Sequence, residues 1–169
     1  MRITNNRRGN AFLEVVLFLP LMVLLLVGMT QIAKFTYTYF SLRKTVYSVA
    51  SYLSAQQGVN FCNAGDPNIA AAISFGLTGT SDNSVPVLIT GLDPTMISVV
   101  AQRATPTAGG ATSLAPCDCS SDCDISQGQL PPDYIVVSIN GYTLTPRIPK
   151  LAQMPIPLMP RVKVPYGGT

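Results

Sequence analysis

The sequence predicts an α+β fold. A long N-terminal helix, transmembrane in its first half, precedes a small C-terminal domain containing a short helix and an antiparallel β-sheet. Three observations lead there. An apolar run covers residues 11 to about 33, seriously interrupted only by Glu14, Thr30 and Gln31. Helical periodicity then continues to residue 57, with no Gly or Pro after Met29. From Gly58 onward, turn residues punctuate short β-rich runs. Composition agrees. The chain is 47% hydrophobic and 11% charged, whereas soluble domains carry about 25% charge, so part of it is expected to lie outside water.

Charge is distributed unevenly. Arg2, Arg7 and Arg8 account for the whole net charge of +3. A short basic leader before a neutral body reads as an address and not as a nucleic-acid-binding surface. At 1.5 Å per residue the apolar run can cross a hydrocarbon core of roughly 30 Å. The leading arginines favour a cytoplasmic N-terminus, with modest opposition from Lys34, Arg43 and Lys44 beyond the run. A cleaved secretory signal would need small residues just past a shorter apolar core, and residues 28 to 33 serve poorly. A twin-arginine signal would need its Phe-Leu pair nearer the arginines than Phe12-Leu13, and a lipoprotein would need a cysteine long before Cys62. Two readings remain: a retained helix, or a signal cut on the cytoplasmic side of its apolar part.

Glu14 separates them. A carboxylate inside a membrane helix costs roughly 2.5–3.5 kcal/mol, and less near an interface. Glu14 sits at headgroup depth, or the mature chain starts at Asn10 after removal of a leader that ends at Gly9. In the second case Glu14 is one helical turn from a free amine, and the two charges offset each other's desolvation. Further along, Pro20 lacks an N–H and crowds the carbonyl of Val16, so a kink or local opening is expected there.

These residues carry a resemblance. Arg7-Arg8-Gly9, four residues and Glu14 at the head of an apolar helix resemble the type IV prepilin peptidase motif. The continuation EVVLFLPLMVLLLVGMTQIAKFTYTYF is similar to the TadE-like minor pilins (pseudopilins) of tight-adherence pili. The resemblance is strong over residues 7 to 57. It is looser beyond residue 60, where NIAAAISFGLTGT, GLDPTMISVV and YIVVSINGYTLTPRIP resemble the family's second helix and strands. CDCSSDC fits no family pattern. The resemblance implies a pilin-type helix, leader cleavage between Gly9 and Asn10, and Glu14 as the assembly residue. The implied partners are the prepilin peptidase, other pilin-like subunits, the inner-membrane assembly platform and, before assembly, the lipid bilayer. It further implies a single-pass inner-membrane protein with its N-terminus inside, which later enters a pilus that supports adherence and biofilm formation.

The helix continues past the apolar run. Ile32, Phe35, Tyr39, Leu42, Val46, Val49 and Leu53 recur at spacings that make a seven-residue repeat. This stripe either packs on the protein's own domain or forms a seam with a partner helix. Tyr37, Phe40, Tyr47 and Tyr52 lie off it and are candidates for contact with other subunits. Gly58 is the expected stop.

In residues 59–169, Asp66-Pro67 reads as a helix start, with residues 68 to 75 helical and Gly76 as the stop. Residues 85 to 90 and 96 to 101 read as strands, and residues 104 to 116 as a loop. Residues 134 to 145 give the strongest β signal. Its apolar parity switches at Asn140-Gly141, as a hairpin turn or a bulge would produce. Six prolines crowd the last 25 residues, so the tail is expected to hug an edge, with residues 158 to 164 as its strand.

Cys62, Cys117, Cys119 and Cys123 all follow the helix. An even count in such a domain suggests two disulfides on an oxidising side of a membrane. A Cys117–Cys119 ring would be strained, so Cys62 is expected to pair with Cys117 or Cys119. A four-thiolate zinc site is the rival, disfavoured by irregular spacing and the absence of His. Asp118, Asp122 and Asp124 do not match a calcium loop and read as a solvated acidic turn. With no His, no phosphate-cradling loop and no recognisable nucleophile, neither an enzyme nor a cofactor is expected. The alternatives are an unprocessed single-pass protein whose disulfide-stapled outer domain binds a partner, and a binding domain released by signal peptidase.

Overall fold

A computed structural model describes residues 7–81, 85–106, 110, 112–145 and 154–168, with side chains from Phe12 onward. Residues 1–6 of the expected leader lie outside it. The arrangement is α+β. Helix α1 (Arg7–Ala55) and helix α2 (Pro67–Thr78) precede strands β1 (Ile97–Pro106), β2 (Thr112–Pro116), β3 (Tyr134–Ile139), β4 (Thr143–Leu144), β5 (Ile156–Pro157) and β6 (Arg161–Pro165). One antiparallel sheet runs β2-β1-β3-β6, and β4-β5 form a separate two-stranded ribbon.

Helix α1 is the spine. Its heptad stripe is fully buried at Leu42, Val46, Val49 and Leu53, where it meets Ile135, Val137 and Ile139 of β3 and Ala72 and Leu77 of α2. Of the two readings of the stripe, packing on the protein's own domain therefore holds for this half. Period-2 alternation in β3 turns those three residues to one face, and the register Val99↔Val137↔Val162 sets the central ladder. Above this half the stripe opens, with Ile32 exposed and Tyr39 at the surface.

The lower end of α1 is closed by the tail. Helix ends leave carbonyls without partners. Here Gly167 N–H donates to the Ser54 carbonyl at 3.2 Å and the Tyr166 hydroxyl to the Gln56 carbonyl at 2.9 Å. Gly58 then turns the chain with φ of 70°; α1 itself ends at Ala55, two residues before the expected last helical position, 57.

Helix α2 starts as expected, with Asp66 Oδ1 accepting the Asn68 N–H at 2.8 Å and Pro67 in the first turn. It does not stop at Gly76. It runs to Thr78 and is capped by Gly79, left-handed at φ 83°. Gly76 serves a different purpose: a Cβ there would collide with Val49 Cγ2 and lie 3.2 Å from the Thr45 carbonyl oxygen. The glycine lets the two helices touch.

Three further expectations fail. Residues 85–90 form bends and turns, not a strand. Pro86 removes a donor, and both neighbours of β1 are already taken by β2 and β3. Residues 104–116 are not all loop: β1 extends to Pro106 and pairs with β2, Thr105 opposite Ser113 with hydroxyls 3.1 Å apart. β2 is exposed along its whole length, so it carries no apolar alternation to betray it. Residues 107–109 and 111 lie outside the described residues. Finally, Asn140-Gly141 makes neither a hairpin nor a bulge within one strand. Gly141, at φ 82°, carries the chain out of the main sheet, and β4 pairs with β5 instead. Tyr142 turns inward, its hydroxyl 3.3 Å from the Thr90 carbonyl oxygen. The late strand begins at Arg161, three residues after its expected start.

Candidate functional site: the bare apolar helix and the stapled distal loop

Over residues 12–27 every large apolar side chain of α1 is at least 40% exposed. Full burial of such a side chain is worth about 1.5–3 kcal/mol. A bare surface of this extent marks contact with a membrane or another protein. The helix is long and apolar enough to cross a membrane, and no part of that window is buried by the protein itself.

The expected site residues lie on this element. Gly9 and Asn10 fall in the first turn of α1, whose helical backbone runs through both. Glu14 is exposed, and among the described residues it has no hydrogen-bond or ion-pair partner. Pro20 sits inside α1, which remains helical on either side. The Val16 carbonyl thereby loses its usual donor four residues on.

The off-stripe aromatics divide. Tyr37, Phe40 and Tyr47 are exposed. Tyr52 is not available in the same way, because it packs on Phe75 of α2 with ring centroids 5.2 Å apart.

The four cysteines form two bridges at the far end, Cys62–Cys119 and Cys117–Cys123. With every thiol bridged, no thiolate is left for zinc. Cys62 lies just past α1, so the first bridge ties the end of the helix to the distal loop. Asn60 reinforces the tie: its Nδ2 donates to Asp124 Oδ1 at 3.0 Å, and its own N–H donates to Asp66 Oδ2 at 3.0 Å.

The acidic residues of this region hold turns. Asp118 accepts from Ser120 N–H and Oγ, and Asp124 from Ser126 N–H and Oγ. The hydrogen bonds from Ser120 and Ser126 favour the ionised forms and hold both carboxyls below their ordinary value. Asp122 pairs with Arg103 at 3.3 Å.

Arg103 is a structural residue that the sequence reading passed over. Its Nη2 also donates to the Leu130 and Pro131 carbonyls at 2.7 and 2.6 Å, clamping the loop that leads into β3. The available signal was its place as the lone base among the acids of residues 62–133. Of the basic residues beyond, Lys163 holds its ammonium 4.5 Å from the Tyr134 ring centroid, whereas Arg147 and Lys150 lie outside the described residues.

Comparison with protein-family models, curated proteins and solved structures found no match to this chain.

Proposed function

We propose that the chain is a non-enzymatic assembly subunit, a minor pilin or pseudopilin of the TadE-like kind. It is inserted in the bacterial inner membrane with its N-terminus in the cytoplasm, and the prepilin peptidase removes residues 1–9. The mature helix then moves from the bilayer into a bundle of subunit helices in a tight-adherence pilus. The observation that carries this reading is one continuous helix with two characters. Its apolar half is bare, and its other half is the buried spine of a stapled domain. Such a build lets a rigid domain ride on a helix whose surroundings can be exchanged, lipid for protein, at little cost in apolar burial.

Glu14 is the residue that the exchange needs. In lipid an unpaired carboxylate is unfavourable. Beside the terminal ammonium of the same or a neighbouring subunit, each charge compensates the other. The test is Glu14→Leu in the native host, comparing membrane abundance, leader removal and surface pili with wild type. The expected outcome is normal insertion and cleavage with no pili, and partial function for Glu14→Asp. Normal pili from Glu14→Leu would refute the assembly role and leave Glu14 an interfacial residue.

A further inference from the structure

A cleft of about 260 Å³ opens between Gln31, Ile32, Lys34 and Phe35 of α1 and Leu144 and Ile156 of the β4-β5 ribbon, with Thr145 just beyond β4. We infer that this cleft binds the acyl chain of a phospholipid from the outer leaflet of the membrane that α1 spans, with the Lys34 ammonium at the lipid phosphate. The inference rests on the membrane-spanning reading of α1 and adds a lipid site to it.

Depth places the cleft. A hydrocarbon core of roughly 30 Å takes about 20 helical residues. Counted from Phe12, these end near Gln31, where bare apolar surface gives way to partial cover. The cleft begins there, so it opens at headgroup depth and is continuous with lipid-facing surface. Among the described residues its lining is apolar at Ile32, Phe35, Leu144 and Ile156, with Gln31, Lys34 and Thr145 beside them. An apolar slot lined by a lysine matches a phospholipid: chain on the apolar walls, phosphate at the ammonium.

Size and shape narrow the occupant. The volume is below the roughly 300–1,000 Å³ of pockets that enclose a whole drug-sized ligand, and it suits a stretch of chain whose remainder stays in the bilayer. A helix from a second copy would need a longer groove. Below the cleft the stripe is already filled by the protein's own core at Leu42 and Val46. The chain leaves the main sheet at Gly141, and the β4-β5 ribbon then forms one side of the cleft, with α1 as the other.

The chain contains no Trp, so one introduced indole is a sole reporter. Full-length Thr145→Trp is reconstituted in phosphatidylcholine–phosphatidylglycerol vesicles whose acyl chains are brominated near the carboxyl or the methyl end. The expected result is loss of fluorescence, greater with carboxyl-end bromine. Leu17→Trp in mid-helix should be quenched more by methyl-end bromine, and Leu130→Trp in the distal loop by neither. Adding Lys34→Glu to Thr145→Trp should abolish any stronger quenching by brominated phosphatidylglycerol than by brominated phosphatidylcholine. An unquenched reporter at 145 with a quenched one at 17 overturns the lipid site and assigns the cleft to protein, another copy or the chain itself. An unquenched reporter at 17 overturns the spanning reading beneath it.

Discussion

Gly76 of α2 rests directly on Val49 of α1, with no room for a Cβ between them. Val49 is fully buried, so neither residue can move aside into solvent. Ala is ordinarily the better helix residue by roughly 1 kcal/mol, yet Gly76→Ala should destabilise the domain by about 1–3 kcal/mol, the usual cost of overpacking. Adding Val49→Ala should recover part of that loss, although Val49→Ala alone leaves a cavity. Urea unfolding of the four proteins gives the coupling. Additive losses would show that the contact is not the reason for the glycine.

The two disulfides should differ in worth. In the loop-entropy relation, Cys62–Cys119, with a sequence separation of 57, constrains the unfolded chain by about 4 kcal/mol, and the short Cys117–Cys123 loop by about 2 kcal/mol. Replacing Cys62 and Cys119 together by Ser should therefore lower stability more than replacing Cys117 and Cys123. Peptide mapping of unreduced protein should find these two pairs and no free thiol. Equal losses, or a Cys62–Cys117 peptide, would contradict the staple described here.

Tyr166 should make the helix end sensitive to alkali. Burial raises its hydroxyl above the ordinary 10.0, because the charged phenolate would lose solvation there. The fold thus prefers the protonated form. Its contribution is complete below pH 10.0 and lost as pH rises through the raised native value. Tyr166→Phe should remove this alkaline dependence. At neutral pH it should cost about 0.5–1.5 kcal/mol, the net worth of the hydrogen bond to the Gln56 carbonyl. Thermal unfolding as a function of pH is the measurement. An unchanged alkaline profile in Tyr166→Phe would assign that dependence to other groups.

How far the sequence can be read follows from the range of each interaction. The apolar run, the heptad stripe and the cap Asp66 are local patterns, and local patterns fix helices. The β3 alternation was equally visible, because one buried face imposes period two. Gly76 was misread because only the neighbouring helix explains it. Residues 85–90 look like a strand, but β1, the strand that follows them in the chain, already has β2 and β3 on either side. β2 was invisible for the converse reason: an exposed edge strand is held by cross-strand bonds and needs no apolar signature. At the site, Glu14 stood out as a charge in an apolar run and the cysteines by their count. The bridge partner of Cys62 was narrowed to two residues but not chosen, because choosing it depends on where the distal loop lies relative to the end of α1.

The most direct test of the assembly-subunit account is the intact mass of the full chain recovered from membranes of cells with an active prepilin peptidase. The expected mass is that of a chain beginning at Asn10, and substitution of Gly9 by a large residue should block its appearance. A full-length chain, or one beginning near residue 30, would contradict the account: the first would leave an unprocessed membrane protein, and the second a domain released by signal peptidase.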